Sequence, residues 1–314
     1  MVFQILTDIH PMRCVELCLS LTAAAFGVSS STAAQTPDTA RARACPSCAE
    51  WNAPQSPLRI FGNTYFVGTH GLSAILITSA EGHVLIDAGL PESAAPILAS
   101  IRALGFKPED VRLILNSHAH FDHAGGIADV QRASHATVAA SAWSADVIGR
   151  GTSPASDPQY SIILPYPPAR EVKVIADGET LHVGTLALTA HITGGHTPGG
   201  TTWTWRSCEG ARCLDMVYAD SQSPVSADDF FFTHNTTYPM AIADFERSEA
   251  TLEHVSCDLL ITPHPGASSL WERLAARDAG AATPALVDIG ACKRFAATAR
   301  EALARRIATE RAKQ

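Results

Sequence analysis

The sequence predicts an α/β (α+β) protein built as a four-layer αβ/βα sandwich, two β-sheets packed face to face with helices outside. Two successive blocks each run from short strands into helices, which differs from the strict alternation of a barrel. The 314 residues fit one large domain once a leader is set aside. With 46% apolar and only 17% charged residues, the chain can bury a sizeable core. Scattered rather than periodic Cys, Pro and Gly exclude collagen, low-complexity and solenoid architectures. The 31 acidic against 23 basic residues give a net charge of -8, which argues against nucleic-acid partners.

Residues 1–34 read as a secretory signal peptide. The apolar run Val15–Val28 is followed by the small residues Ser29–Ala34, and cleavage after Ala34 satisfies the small-residue rule. Glu16 and the shortness of the run disqualify it as a membrane span, which needs about 20 residues. The only charge before Met12 is Asp8, whereas Met12-Arg13 opens a conventional leader, so Met12 is the expected start. The expected mature chain is a single domain, 35–314, in the periplasm.

Leu72–Ser79 and Val84–Asp87, separated by Glu81-Gly82, read as a hairpin in a sheet with one covered face. Pro91–Leu104 has helical apolar spacing and Gly105 as its C-cap. Val111–Leu115 is a buried strand, followed by a helix near Gly126–Ala133, a strand at Ala136–Ala140 and a short helix at Ser144–Gly149. Gly151–Arg170, rich in proline, is a long surface loop, and such loops are often functional. The second block has strands at Glu171–Ala176, Leu181–Val183 and Leu186–His191, then Thr201–Trp205 and Met216–Ala219 as hairpin arms. Helices at Ile242–Val255 and Cys292–Ala312 enclose the strand Leu259–Thr262. Trp203 and Trp205 share one strand face and are expected in the core, as is Phe230–Phe232 as a core strand.

Export makes the six mature cysteines candidates for bridges. Cys208 and Cys213 flank a turn-like tip and are the first choice. Cys257 and Cys292 come next, closing a loop worth roughly 3 to 4 kcal/mol on chain entropy. Cys45 and Cys48 form CPSC, and neither a second CxxC nor a thioredoxin-like βαβ accompanies them. A local disulfide is favoured there over redox chemistry, with free thiols or other pairing left open.

The chemistry begins where the buried strand Val111–Leu115 runs into His118, His120, Asp122 and His123, the pattern HxHxDH. Alternate residues of an extended segment share a side, so His118 and His120 can face one point. Asp122 and His123, where the chain turns, can face a second. A lone histidine is more often a hydrogen-bonded core residue, but four ligand-type side chains clustered beside Gly125-Gly126 point to a metal, zinc above all. His196 in GGHTPGG and His264 in TPHPG occupy further strand-end loops, where α/β scaffolds gather site residues. Six ligands divide into two sites of three, each with an open position, which is the mark of catalytic rather than structural zinc. His70, between Gly68-Thr69 and Gly71, reads as structural rather than as an approach to the metals.

In SHAHFDHAGG, GGHTPGGTTWTW, VYADSQS and LLITPHPGAS, taken in that order, the chain resembles the metallo-β-lactamase superfamily, and within it the subclass B3 β-lactamases. The resemblance implies the metallo-β-lactamase fold, with His118, His120 and His196 on a first zinc and Asp122, His123 and His264 on a second. It implies a secreted enzyme that opens the amide bond of penicillins, cephalosporins and carbapenems with a zinc-bridging hydroxide, giving antibiotic resistance. Asp122 would orient that hydroxide through its second oxygen. Ser221 and Ser223 would receive the substrate carboxylate, and Gln159 with Asp157, Tyr160, Ile162 and Ile163 would line the pocket wall. The small-molecule substrate is the only partner expected, with no nucleic acid, no membrane and a monomeric chain. The alternative is a di-metal lactonase or thioesterase of the same fold, in which an aspartate bridges both metals. Ala219-Asp220-Ser221 stands at that place, and the reading depends on whether Ser221, which is favoured, or Asp220 occupies the bridging position.

Overall fold

Side-chain alternation along the central strands decides the layers. The structure, a computed structural model, describes residues 45–280 and 285–313, which lie in one unit spanning Thr39–Gln314. The expected leader, 1–34, lies outside the described residues. The first sheet has the order β1 (Leu58–Phe61), β2 (Thr64–Phe66), β3 (Ile75–Ser79), β4 (Gly82–Ile86), β5 (Val111–Leu115), β6 (Thr137–Ser141), β7 (Lys173–Ile175). It is antiparallel from β1 to β4 and parallel from β4 to β7. The second sheet is an antiparallel meander of β8 (Thr180–Val183), β9 (Leu186–Ile192), β10 (Thr201–Glu209) and β11 (Arg212–Tyr218), with β12 (Leu259–Ile261) parallel to β11.

Val84 and Ile86 of β4, Leu113 and Leu115 of β5, and Met216 and Tyr218 of β11 interleave between the sheets with Trp203 and Trp205. The intervening residues point outward. Leu85 and Ile114 meet α2 (Ala94–Ala103), α4 (Ile127–Ser134) and α5 (Ala142–Arg150) through Ile97, Ile101, Val130 and Val147. Val217 and Leu260 meet α6 (Ala241–His254) and α8 (Ala291–Arg311) through Leu252 and Ala296. A one-residue slip would exchange the two faces of a strand, and each large side chain gains about 1.5–3 kcal/mol by burial, so the register is firmly set. The first hairpin therefore departs from expectation: β4 is buried along its whole length, because the second sheet covers one face and helices the other.

Among the helices that escaped the sequence pattern are two short ones away from the strand ends. These are α1 (Cys48–Trp51) and α7 (Leu270–Asp278), the latter burying only Leu270 and Leu274. Phe230 and Phe232 are core residues as expected, packed against Phe245 and Leu303, but their segment is a series of turns rather than a strand. Glu310 of α8 fixes that segment by accepting from the backbone N–H of Phe232 and Thr233 at 3.1 and 2.9 Å, replacing the ladder bonds a strand would have made. Cys45 and Cys48, Cys208 and Cys213, and Cys257 and Cys292 each bring their sulfurs to bonding distance.

Candidate metal centre

Strand ends from both sheets converge at one edge of the sandwich. At the end of β5 the chain passes through His118 and His120 and enters the single turn α3 (Phe121–Ala124), which carries Asp122 and His123. Gly126 lets the chain leaving this turn pack directly on the segment that follows β4, since a Cβ there would stand 2.3 Å from the carbonyl of Ala88. His196 comes from the β9–β10 turn and His264 from the residues after β12. The two sheets are joined here by hydrogen bonds from the Thr201 N–H to the Ser117 carbonyl at 2.7 Å and from Trp203 Nε1 to the Asn116 carbonyl at 3.0 Å.

The ligand atoms of His118, His120 and His196 lie within 4.8 Å of one another, as do those of His118, Asp122 and His123, and all five side chains are buried. Asp122 Oδ2 stands 3.3 Å from Nε2 of both His123 and His264. All six residues predicted from the sequence are thus brought together.

Each histidine of the first group has its outer nitrogen engaged, which fixes the inward one. His118 donates through Nδ1 to Asp220 Oδ1 at 2.7 Å, leaving Nε2 inward. His120 donates through Nε2 to the Asp157 carboxylate at 3.0 and 3.2 Å, leaving Nδ1. His196 donates through Nδ1 to the Ser223 carbonyl at 2.8 Å, leaving Nε2. Such outer partners fix tautomer and ring orientation in metal sites. His123 keeps Nδ1 buried with no hydrogen-bond partner among the described residues and Nε2 with only the 3.3 Å approach to Asp122, and an unmet buried polar group costs about 1–3 kcal/mol unless something else meets it. The residues therefore fit a divalent cation: inward nitrogens, one carboxylate and orphaned polar atoms at a common focus.

The electrostatics agree. Burial, then the neighbouring His123, His120 and His196, holds His118 well below the usual imidazole range. His196 is lowered to about 3 by burial and by His120. Both are kept in the neutral form that coordinates. Burial raises Asp122, but His123 and His264 outweigh it and hold the carboxyl well below its usual range. Burial also lowers His120, yet Asp157 beside it reverses the direction.

Asp220 does not point into the focus between the two groups as a bridging residue would. It is wholly buried, donates its backbone N–H to the Thr202 hydroxyl at 3.1 Å and accepts from His118 Nδ1 on Oδ1. Ser221 and Ser223 line a cavity of about 500 Å³ together with His264, Arg294, Phe295 and Thr298. Gln159 Nε2 lies 3.4 Å from His196 Nε2, whereas Tyr160 and Ile162 are exposed on the same loop. His70 is exposed, stacked on Trp271 at 5.1 Å, and the described contacts tie it to Gln55 rather than to the centre.

The sequence reading missed Asp87. Its Oδ1 accepts from Asn116 Nδ2 and the Ser117 N–H at 3.0 and 2.8 Å, and its Oδ2 from the Ser117 and Tyr218 hydroxyls at 2.6 and 2.8 Å. Asn116 in turn donates to the His118 carbonyl at 2.8 Å. An aspartate ending the apolar run Val84-Leu85-Ile86 was the available signal, because a buried carboxylate needs several donors.

Known proteins share this fold. The structure of the Rm3 metallo-β-lactamase is similar at a TM-score of 0.83 and 53% identity, covering 85% of this chain and 99% of that one. MEM-A1, a subclass B3 metallo-β-lactamase isolated from a soil metagenome library, is similar at 0.82 and 48%, covering 84% of this chain and all, 100%, of that one. An N-acyl homoserine lactonase of Bacillus cereus is 35% identical over 74 residues, 16% of this chain, and the match spans only 30% of the lactonase's length. The sequence profile of the metallo-β-lactamase superfamily matches residues 67–274, well over half of the chain, and the protein belongs to that superfamily.

Proposed function

We propose that the protein is a subclass B3 type β-lactamase that hydrolyses the amide bond of penicillins, cephalosporins and carbapenems using two zinc ions. The observation that carries this reading is the likeness to B3 enzymes along practically their whole length, joined to the six-residue centre. His118, His120 and His196 would hold one ion, and Asp122, His123 and His264 the other. When bound, the ions supply Lewis acidity towards the lactam carbonyl and bring a water to its deprotonated, nucleophilic form near neutral pH.

The chain's own residues do the positioning. Asp122 turns Oδ2 towards His123 and His264, leaving its second oxygen to hold a proton of the attacking water and so orient it. The hydroxyls of Ser221 and Ser223 donate to the substrate carboxylate, and Gln159 closes the side of the centre next to His196. Asp220, engaged by the outer nitrogen of His118, supports the lactamase reading over the lactonase one. Export as a monomer to the periplasm, after loss of residues 1–34, would oxidise the three cysteine pairs and place the enzyme where β-lactams pass, giving resistance.

The test is hydrolysis of a carbapenem and of an acyl-homoserine lactone by the purified mature protein, with and without a chelator, alongside metal analysis. Carbapenem turnover abolished by the chelator and by His118→Ala, with two zinc per chain, is expected. Lactone turnover without lactam cleavage would overturn the reading.

A further inference from the structure

The long loop 151–170 is fastened to the ligand segment at two places. Asp157 is 1% exposed on a loop whose following residues Tyr160 and Ile162 are each 54% exposed. Its carboxylate takes the Nε2–H of His120 at 3.0 Å and the backbone N–H of Gln159 at 2.8 Å. Nine residues further on, the buried Tyr166 hydroxyl donates to the carbonyl of Ala119, between His118 and His120, at 2.8 Å. Elsewhere the loop is held by Trp143 Nε1 on the Ser156 hydroxyl, by the Ala227 N–H on the Pro158 carbonyl, by the Ser161 hydroxyl on Asp229 Oδ1 and by the Tyr166 N–H on the Gly151 carbonyl, at 2.9, 2.9, 3.2 and 3.0 Å. The tip 159–164, exposed at 160–162 and packed inward through Ile163 and Leu164, therefore lies between two anchors that both grip the ligand segment.

We infer that Asp157 is a positioning residue that couples the loop to the metal centre: the carboxylate that aims His120 Nδ1 inward is also the hinge pin of the loop carrying Gln159. This rests on the reading that His120 is a metal ligand. A ring locked by metal at Nδ1 keeps Nε2 in place for Asp157, so occupancy holds the loop down. By reciprocity, a loop held down favours occupancy. The gain over a plain outer-shell contact is that the partner of His120 sits on a surface loop, not on the scaffold, so substrate pressing on the loop would be felt at the metal.

The experiment uses zinc itself on the full mature protein, with no β-lactam. Zinc affinity is read by competition with a chromophoric chelator, and hydrogen exchange is followed in 159–164. Wild type should show slow exchange when loaded and faster exchange when stripped. Asp157→Ala should lose about 10- to 100-fold in zinc affinity, as removal of outer-shell partners does, and its tip should exchange fast in both states. Asp157→Asn, which keeps an acceptor of the same shape, should recover most of both and serves if the alanine variant fails to fold. Affinity unchanged in Asp157→Ala, or wild-type exchange indifferent to zinc, overturns the coupling. Wild type that binds no zinc overturns instead the metal reading on which it rests.

Discussion

At the residue scale, Asp220 and Gly200 act as a pair. A Cβ on Gly200 would stand 2.2 Å from Asp220 Oδ2 and 2.5 Å from the backbone carbonyl of Thr193. The carboxylate could swing aside but the carbonyl cannot, so Gly200→Ala should push Asp220 off His118 Nδ1. We expect the variant to lose about 1–3 kcal/mol of stability, as overpacked sites do, and to bind zinc more weakly. Thermal unfolding and chelator competition check this, and a variant as stable and as avid as wild type would refute the steric argument. The candidate ligands were legible as a cluster, because HxHxDH crowds ligand types into one strand end and GGHTPGG and TPHPG mark further strand-end loops. Asp220 was legible only as a choice between roles. One residue of register separates a bridging side chain from one behind a histidine, and spacing alone does not fix that register. The carbonyl of Ser223, which holds His196, carries no side-chain signature at all.

At the scale of elements, α8 does more than cover the second sheet. Its last turn presents Glu310, 2% exposed, to the N–H groups of Phe232 and Thr233 and to Arg306 Nε at 2.5 Å. Burial raises the Glu310 carboxyl, but Arg306 and the two backbone donors outweigh it and leave it below the usual 4.5. A carboxyl lowered in the folded chain contributes stability that is fully present above the unfolded value and is lost as pH falls through the lowered folded value. Glu310→Gln should therefore cost about 1–3 kcal/mol at neutral pH. That deficit should shrink towards zero as the solution is acidified below the ordinary glutamate range. Denaturant unfolding at several pH values checks it, and a deficit that stays constant with pH would show that charge plays no part. Strand and helix identities were largely readable here, since β5 and α6 have unbroken periodicity. The turns holding Phe230 and Phe232 were not, because three successive aromatics satisfy strand and core equally and the tie to Glu310 spans most of the second block.

At the scale of the molecule, the centre draws donors from both sheets: His118, His120, Asp122 and His123 follow β5, while His196 and His264 follow strands of the second sheet. Any ion that binds this set binds the folded arrangement and not the unfolded chain. Zinc at 100 times its dissociation constant should add about 2.7 kcal/mol. That corresponds to a rise in Tm of several degrees for a domain of this size. A chelator should reverse it in a thermal scan, and an unchanged Tm would mean that zinc does not bind the folded centre in preference to the unfolded chain. The face-to-face sheets were legible from the repeated run of strands into helices. The way the site end is zipped by Thr201 and Trp203 onto Ser117 and Asn116 was not, since backbone carbonyls at the end of one strand are indistinguishable in sequence from any others.

On the zinc-binding reading proposed above, the seam between the sheets would also set how long a molecule survives. If one mouth of the sandwich is closed by donors that need a cation, then a chain exported into metal-starved surroundings opens there first and meets housekeeping proteases in that state. Cellular abundance of the protein would then track the supply of zinc around it, so that scarcity of the metal would thin the population of molecules as well as silence those that remain.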